Sequence, residues 1–378
     1  AEPVMGLPTP PPVGAISLFQ PRDYLGEGNF RPLDRTSQLL AAAAELALRD
    51  SGCTVEMRQA VEVGLVVGTM FCSVHTISEF DRRALVEGPK FVSPLDFANT
   101  VINAAAGQTA IWHGLRGVNS TISAGITSGL QAVAYASDQI RAGHVQAVLA
   151  GGVEELCFES LLGFCRAGLI CDEAGPRPFA TDRNGFALSE GAGLLMLENS
   201  ESAALRGSTM LAEIKGHGSS FVPSTDSSKD GDFVAGISRA IRLALESAEL
   251  AAEDINLVSA GANGSKTIDR WEAAALQEVF HLESGGLAVT AIKSLLGESL
   301  GASAAWQTIA ALESLCDGRV PGIPGLDEHA TDVRWAGLHR ATRTAPIDNV
   351  LINSVGLDGN CCALVLGRIR ERSFGDTD

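Results

Sequence analysis

Between Val118 and Ala150 the chain reads as strand, tight turn, helix and strand again. Val118 to Ser123 is rich in β-formers, Ala124-Gly125 supplies the small residues of a turn, and Ser128-Gly129 opens the apolar helix Leu130 to Arg141. A strand leaving such a helix returns parallel to the first, so this stretch calls for a sheet covered by helices. A strand-to-helix elbow of this kind commonly presents a nucleophile, with backbone N–H groups beside it to hold an oxyanion. Here the tip residue is Ile126, whose side chain has no nucleophilic atom.

The remaining elements extend the same alternation. Asp34 to Asp50 is an amphipathic helix with an Asp start, and Glu62 to Thr69 a buried strand. Asp96 to Leu115 carries a helix rich in small residues. The elbow and the strand from Ala147 follow, then a polar Gly-containing loop and a buried strand ending at Glu198, the short helix Ser200 to Arg206, and a strand from Ala212 to Ser220. Around Phe221 to Asp232 the composition turns to Pro, Ser, Thr, Asp and Lys, which marks a boundary. Beyond it come helix Phe233 to Ala248, strand Asn256 to Ala260, helix Ile268 to Phe280, strand Leu287 to Thr290 and helix Gly301 to Cys316, closed by strands Val350 to Ser354 and Cys361 to Leu366. Both halves repeat a similar order. The expectation is therefore an α/β chain of two pseudo-duplicated βαβ halves, 1–222 and 223–378, with mainly parallel sheets. The Pro/Gly-rich first dozen residues read as a loop and the last residues as a charged tail.

Composition narrows the function classes. A net charge of −17 argues against nucleic acid as a partner. No apolar run reaches the roughly 20 residues of a membrane span, and Ala1 to Phe19 lacks the basic start and apolar block of a secretory signal, so a cytoplasmic location is expected. The eight cysteines form no CxxC pair and lie in apolar segments, as reduced thiols do. The seven histidines do not fall at metal-ligand spacing, so no metal is expected.

Four ordered motifs carry a family resemblance. Pro178 to Glu198, PFATDRNGFALSEGAGLLMLE, is close to a D-R-D-G-F-x-x-G-E-G-A-G strand, and AGGVEE from Ala150 to Glu155 matches the strand after a nucleophile helix. IKSLLGESLGAS from Ile292 to Ser303 matches K-S-x-x-G-H-x-x-G-A, and NSVGLDGNCCALVL from Asn353 to Leu366 matches N-S-F-G-F-G-G-x-N. Across nearly its whole length the chain resembles the β-ketoacyl synthases of the thiolase superfamily. The resemblance implies a thiolase-like fold with a layered α-β-α-β-α core. It departs from the family at the start, where no V-x-I-T-G-x-G strand and turn precede Phe19.

The family's chemistry uses a Cys–His–His set: the thiolate accepts an acyl chain from a carrier-protein thioester, and two imidazoles assist decarboxylation and hold the enolate charge. Carried over residue by residue, the nucleophile position is Ile126. The first histidine, from A-H-G-T-S-T-P-x-x-D-x-x-E, falls on Gly261 in AGANGSKTIDRWE, and the second, from K-S-x-x-G-H, falls on Glu298. Lys293 is retained, and Asp269 and Glu272 match as scaffold residues. The resemblance is thus to a catalytically degenerate member, similar to the chain-length factor (KSβ) of type II polyketide and aryl-polyene-like pathways. It implies a heterodimer with an active ketosynthase subunit, no bound cofactor, and acyl chains carried by that partner on the phosphopantetheine of an acyl carrier protein. In such dimers the elbow strand pairs across the two-fold axis and the helix corresponding to Ala98–Trp112 packs beside it. That assigns Asn99, Asn103, Ala105, Ala106, Trp112, Asn119, Thr121 and Ser123 to the partner interface or acyl tunnel.

Other readings stand beside these. Taken alone, Ile126 is a core residue at a turn, and Glu298 a carboxylate favoured by a helix start. With Lys293 it also makes a structural ion pair in the old active site. Cys165 or Cys171 could be a displaced nucleophile, with Glu298 as base. An altered-chemistry acyltransferase, hydrolase or decarboxylase on acyl thioesters is therefore the alternative function, and an acyl-binding homodimer a third.

Overall fold

The computed structural model describes residues 11–223, 230–282, 287–326, 335 and 337–369. Nine strands build two sheets: β1 (Val63–Gly68), β2 (Asn119–Ile122), β3 (Ala147–Glu154), β4 (Gly191–Glu198), β5 (Glu213–Phe221), β6 (Leu257–Ser259), β7 (Ala288–Thr290), β8 (Asn349–Val355) and β9 (Asn360–Gly367). The first sheet runs β2-β1-β3-β4, the second β7-β6-β8-β9-β5.

The pairings repeat. In the first sheet β1 is parallel to β2 and β3, and β4 returns antiparallel to β3. In the second, β6 is parallel to β7 and β8, and β9 returns antiparallel to β8. The second sheet has one more strand, β5, antiparallel to β9. Among the described residues nothing occupies the matching place beside β4. The sheets are therefore mixed where mainly parallel ones were expected. The reason is local in one case: the four-residue turn 356–359 joins β8 to β9, too short for a parallel crossover.

Nine helices matter for the site: α1 (Arg35–Asp50), α2 (Val74–Val86), α3 (Pro94–Ala98), α4 (Ala104–His113), α5 (Ser128–Arg141), α6 (Phe158–Arg166), α7 (Asp230–Ser247), α8 (Lys266–Phe280) and α9 (Ser303–Asp317). α1 begins where its sequence says it should, with the Asp34 carboxylate accepting the amide of Ser37 at 3.0 Å. α5 and α9 lie between the sheets, where Leu130, Val133, Ala304 and Leu315 meet Val66, Val148, Val350 and Ile352 in one buried cluster. α1 and α4 cover the outer face of the first sheet, and α7 and α8 that of the second. These are the five layers of a thiolase-like fold. Small residues let the central layer close: a Cβ on Gly129 would lie 2.5 Å, and one on Gly152 2.1 Å, from the Gly301 carbonyl.

Two local expectations fail. The helix anticipated over Asp96–Leu115 is two, α3 and α4, broken at 99–103 by the β-branched run Thr100-Val101-Ile102 and by Asn99, whose amide turns away to donate to the Pro32 carbonyl at 2.9 Å. α2 and α6 were not anticipated: α2 has no fully buried residue, and α6 only Ser160. The expected N-terminal loop, inter-half boundary and charged tail lie largely outside the described residues.

Candidate functional site

The elbow forms as its sequence suggests. Gly125 takes φ +60°, a conformation that favours glycine. Two hydroxyls fix the turn: Thr127 Oγ1 donates to the Ala124 carbonyl at 2.7 Å and Ser128 Oγ to the Gly125 carbonyl at 2.6 Å, while Ser128 Oγ accepts the Ala124 amide at 2.8 Å. Ile126 at the tip is 4% exposed. It packs against Phe186, Leu188 and Leu300, with Met70, Leu156, Leu161 and Phe164 around them. The place where an elbow would offer a thiolate is the centre of an apolar cluster.

Glu298 lies next to that cluster because its backbone is zipped to the same segment. Its amide donates to the Ala187 carbonyl at 2.8 Å, and its carbonyl accepts the Ser189 amide at 2.9 Å, which places Leu188 alongside. The Glu298 side chain is fully buried and four donors converge on it: Lys293 Nζ at 2.9 Å and Asn263 Nδ2 at 2.8 Å on Oε2, the Leu300 amide at 3.0 Å and Ser303 Oγ at 2.6 Å on Oε1. This is the surrounding of a carboxylate whose lone pairs are all taken. It leaves no free oxygen to act as a base and presents negative charge where an enolate would need a donor.

Gly261 brings backbone only. Its amide donates to Glu272 Oε1 at 2.7 Å, the same oxygen that accepts Asn353 Nδ2 at 2.6 Å. A Cβ at 261 would lie 3.0 Å from the Asn353 carbonyl, so a side chain there would need β8 to give by a few tenths of an ångström. Asp269 accepts the amides of Phe179 and Asn263 at 2.9 and 3.0 Å, and Glu154 gathers those of Met70, Phe71, Cys72 and Gly301 at 2.7 to 3.1 Å. These carboxyls tie loops behind the elbow. Burial pushes Glu154, Glu155 and Glu272 up to about 7 and Asp269 to about 6, against the pull of their N–H donors. Among the described residues no group of three or more His, Cys, Asp or Glu is placed to hold a metal ion.

The remaining anticipated residues line the outer edge of the first sheet and α4. Asn103 and Asn119 are exposed; Asn119 Nδ2 donates to the Ala106 carbonyl at 3.2 Å. Ser123 is exposed and donates to the Met70 carbonyl, and Thr121 is half-buried on β2, whose far side has no strand beside it among the described residues. Asn99 is buried on Pro32, and Trp112 stacks on Phe30 with ring centroids 5.3 Å apart. Ala105 and Ala106 are 2% and 1% exposed and face Leu39 and Leu40 of α1 in the chain's own core. A bulky residue at either would overpack that core before reaching any neighbouring subunit.

The sequence reading missed Asn263 and Ser303, the two side chains that complete the Glu298 cage, and nothing in their spacing marks them. It also missed Asp358, which stands at a glycine position of the closing motif and rests against the elbow: a Cβ on Gly125 would lie 2.2 Å from Asp358 Oδ2. That Gly-to-Asp departure was the available signal. Exposed apolar residues were missed as well: Leu85 and Val86 at the end of α2, Phe91, Phe97 on α3, Val101 in the break between α3 and α4, and Ile111 on α4. Of these helices, α4 packs beside edge strand β2.

Comparisons with known proteins agree with the fold. The family models for the β-ketoacyl synthase N-terminal and C-terminal domains match residues 20–203 and 211–327. The chain is 30% identical over 366 residues to the 3-oxoacyl-[acyl-carrier-protein] synthase 2 of Rhizobium meliloti (strain 1021), covering 94% of this chain and 86% of that one. It is 33% identical over 365 residues to the tetracenomycin polyketide synthase ketoacyl synthase beta subunit of Streptomyces glaucescens, covering 94% and 87%. Among solved structures, the ishigamide ketosynthase/chain length factor superposes with a TM-score of 0.86 at 29% identity, covering 94% of this chain and 87% of that one. No described helix is long and apolar enough to cross a membrane.

Proposed function

The chain belongs to the β-ketoacyl synthase family, and on that premise we propose that it is a non-catalytic, chain-length-factor-type subunit that pairs with an active ketosynthase and shapes the tunnel for a growing polyketide or polyene chain. One observation carries the reading. The three positions the family uses for chemistry hold Ile126 in an apolar cluster, Gly261 with no side chain, and Glu298 in a closed cage of donors, while the fold around them is kept. Without the thiolate and both imidazoles the condensation has neither covalent holding nor charge stabilisation.

The surface supports a partner. Among the described residues β2 is an edge strand, and exposed Ile111 lies on α4, which packs beside it, while Leu85, Phe91 and Phe97 add exposed apolar surface nearby in the chain. A ketosynthase of the same fold would offer an edge strand of its own to pair with it. The acyl chain would then travel on the partner's carrier protein, so this chain needs no cofactor of its own. The likeness to a ketoacyl synthase beta subunit and to a ketosynthase/chain length factor points the same way.

Likeness to 3-oxoacyl-[acyl-carrier-protein] synthases favours a second reading, altered chemistry on acyl thioesters. Burial works against it: the Cys171 thiol is pushed up to about 11 and Cys165 is also raised, the reverse of what a nucleophile needs. Native mass spectrometry of the tagged chain purified from its own host separates the two. A 1:1 complex with a Cys-containing ketosynthase of similar size is the expected result. A homodimer that gains a stable acyl adduct from acyl carrier protein would overturn it.

A further inference from the structure

The first turn of α2 sits on three carboxyl groups. The His75 amide donates to Glu155 Oε1 at 3.0 Å, and Thr76 Oγ1 donates to Asp34 Oδ2 at 3.4 Å. The His75 ring lies with Nδ1 3.4 Å from Glu159 Oε1. The three carboxyls come from different places: Asp34 caps α1, Glu155 follows β3, and Glu159 stands in the first turn of α6. No residue of α2 is buried, so polar bonds carry a large share of its attachment. The helix is bracketed by two unusual backbone positions, Cys72 at φ +57° and Gly88 at φ +105°.

Glu155 is 5% exposed. Its Oε1 meets α2, and its Oε2 accepts Thr36 Oγ1 of α1 at 3.1 Å. The titratable groups around it are Asp34 at the start of α1, His75 of α2, and Cys157 and Glu159 at the entry to α6. Burial pushes the Glu155 carboxyl up to about 7; the His75 amide and the Thr36 hydroxyl oppose this, while the Asp34 charge adds to it. A neutral carboxyl still accepts the His75 amide through its carbonyl oxygen. An ionised one gains from water, and α2 is the cover that can give way. α1 is fixed by Leu39, Leu40, Ala44 and Leu48 in the outer core, whereas α2 buries no residue.

We propose that residues 73–87 form a strap that docks on neutral Glu155 and is released as that carboxyl ionises. The direction follows from proton linkage. The docked carboxyl titrates near 7 and a solvated one near 4.5, so docking is strongest at low pH and weakens as pH rises through this interval. A protonated His75 ring facing Glu159 acts with the same sign. Between pH 6 and pH 8 the ratio of released to docked strap rises about ten-fold. The strap ends in Leu85 and Val86, 86% and 74% exposed. A pH-dependent affinity for a ketosynthase would rest on the partner reading; the release is a property of this chain alone and stands or falls without it.

Amide hydrogen exchange of the full chain at pH 6 and pH 8, corrected for the intrinsic pH dependence of exchange, tests the release. The expected result is a protection of residues 74–86 that falls about ten-fold at pH 8 relative to α5, and no such fall in Glu155→Gln, which keeps an acceptor and cannot ionise. Equal protection at both pH values in the parent would overturn the proposal, as would an E155Q chain that keeps the full ten-fold change. Should E155Q fold poorly, His75→Gln gives the second variant. A pH dependence that survives in H75Q supports Glu155 as the group responsible, and one lost in H75Q assigns it to the imidazole and overturns the proposal.

Discussion

Replacing Lys293 by methionine isolates the charge at the centre of the old active site. Methionine keeps most of the lysine stem, so the apolar packing is nearly conserved and the ammonium alone is lost. The Lys293–Glu298 pair is 2.9 Å apart, with side chains 2% and 0% exposed. Glu298 would keep three donors, from Asn263, Leu300 and Ser303, but lose the one cation bonded to it among the described residues. Removing one partner of a buried ion pair costs about 3–5 kcal/mol. For a chain of 378 residues, an unfolding entropy of roughly 2.1 cal/mol/K per residue makes each kcal/mol worth a little over 1 °C, so the melting temperature should fall by about 4–6 °C. Adding Glu298→Gln in the Lys293→Met background removes the stranded charge while keeping one acceptor. The double variant should recover part of the loss, with a coupling of about 1–3 kcal/mol across the cycle. Calorimetry of the four proteins measures this. A Lys293→Met protein that melts within about 1 °C of the parent, or two single effects that simply add, would refute a structural ion pair here.

Three other outcomes follow from the same geometry. Ile126→Ala should destabilise by about 2–5 kcal/mol, the range for truncating a buried aliphatic residue, whereas a residue poised for catalysis on an exposed elbow would cost little; urea unfolding distinguishes them. Phe97 and Leu85 are 63% and 86% exposed, so changing either to Asp should shift folding stability by no more than about 0.5 kcal/mol yet weaken capture of the ketosynthase partner in a pull-down, and unchanged capture by both variants would count against the apolar band as the interface. Glu154, Glu155 and Glu272 keep their protons up to about pH 7 in the folded chain but only to about 4.5 when unfolded. Folding takes up protons between these values, so stability falls as pH rises from about 4.5 toward 7, by about 1 kcal/mol per pH unit per group. Melting temperatures measured from pH 5 to 8 in about 0.5 M salt, which screens the net negative charge, should decline, and a rise would contradict the assignment.

Much of the architecture was legible because its signals are local. Strand–turn–helix order needs only periodicity and punctuation, so the elbow, α1, α5 and the alternating pattern of both halves could be read from neighbouring residues. The substitutions at 126, 261 and 298 were legible too, since each sits inside a motif whose other positions match. Lys293 and Glu298 are five residues apart, and their pairing could be suspected from that spacing. What failed was also physical. The Asp96–Leu115 segment was read as one helix because the capture of Asn99 by Pro32 is a tertiary event.

The sequence by itself determined the fold class, the repeated order of elements and the absence of a thiolate and imidazoles from the family's positions. These are properties of residue identity and short-range order, which no distant contact can change. Tertiary structure alone decided what replaced the chemistry. Asn263 and Ser303 reach Glu298 from separate segments, Leu188 and Phe186 close over Ile126 from a segment sixty or more positions away in the chain, and Asp358 arrives at Gly125 from the other half. The same holds for Ala105 and Ala106, whose small size suits an interface or a core equally until α1 is seen packed on them. Such contacts depend on how layers stack, and stacking is set by the summed burial of the whole chain rather than by any one motif.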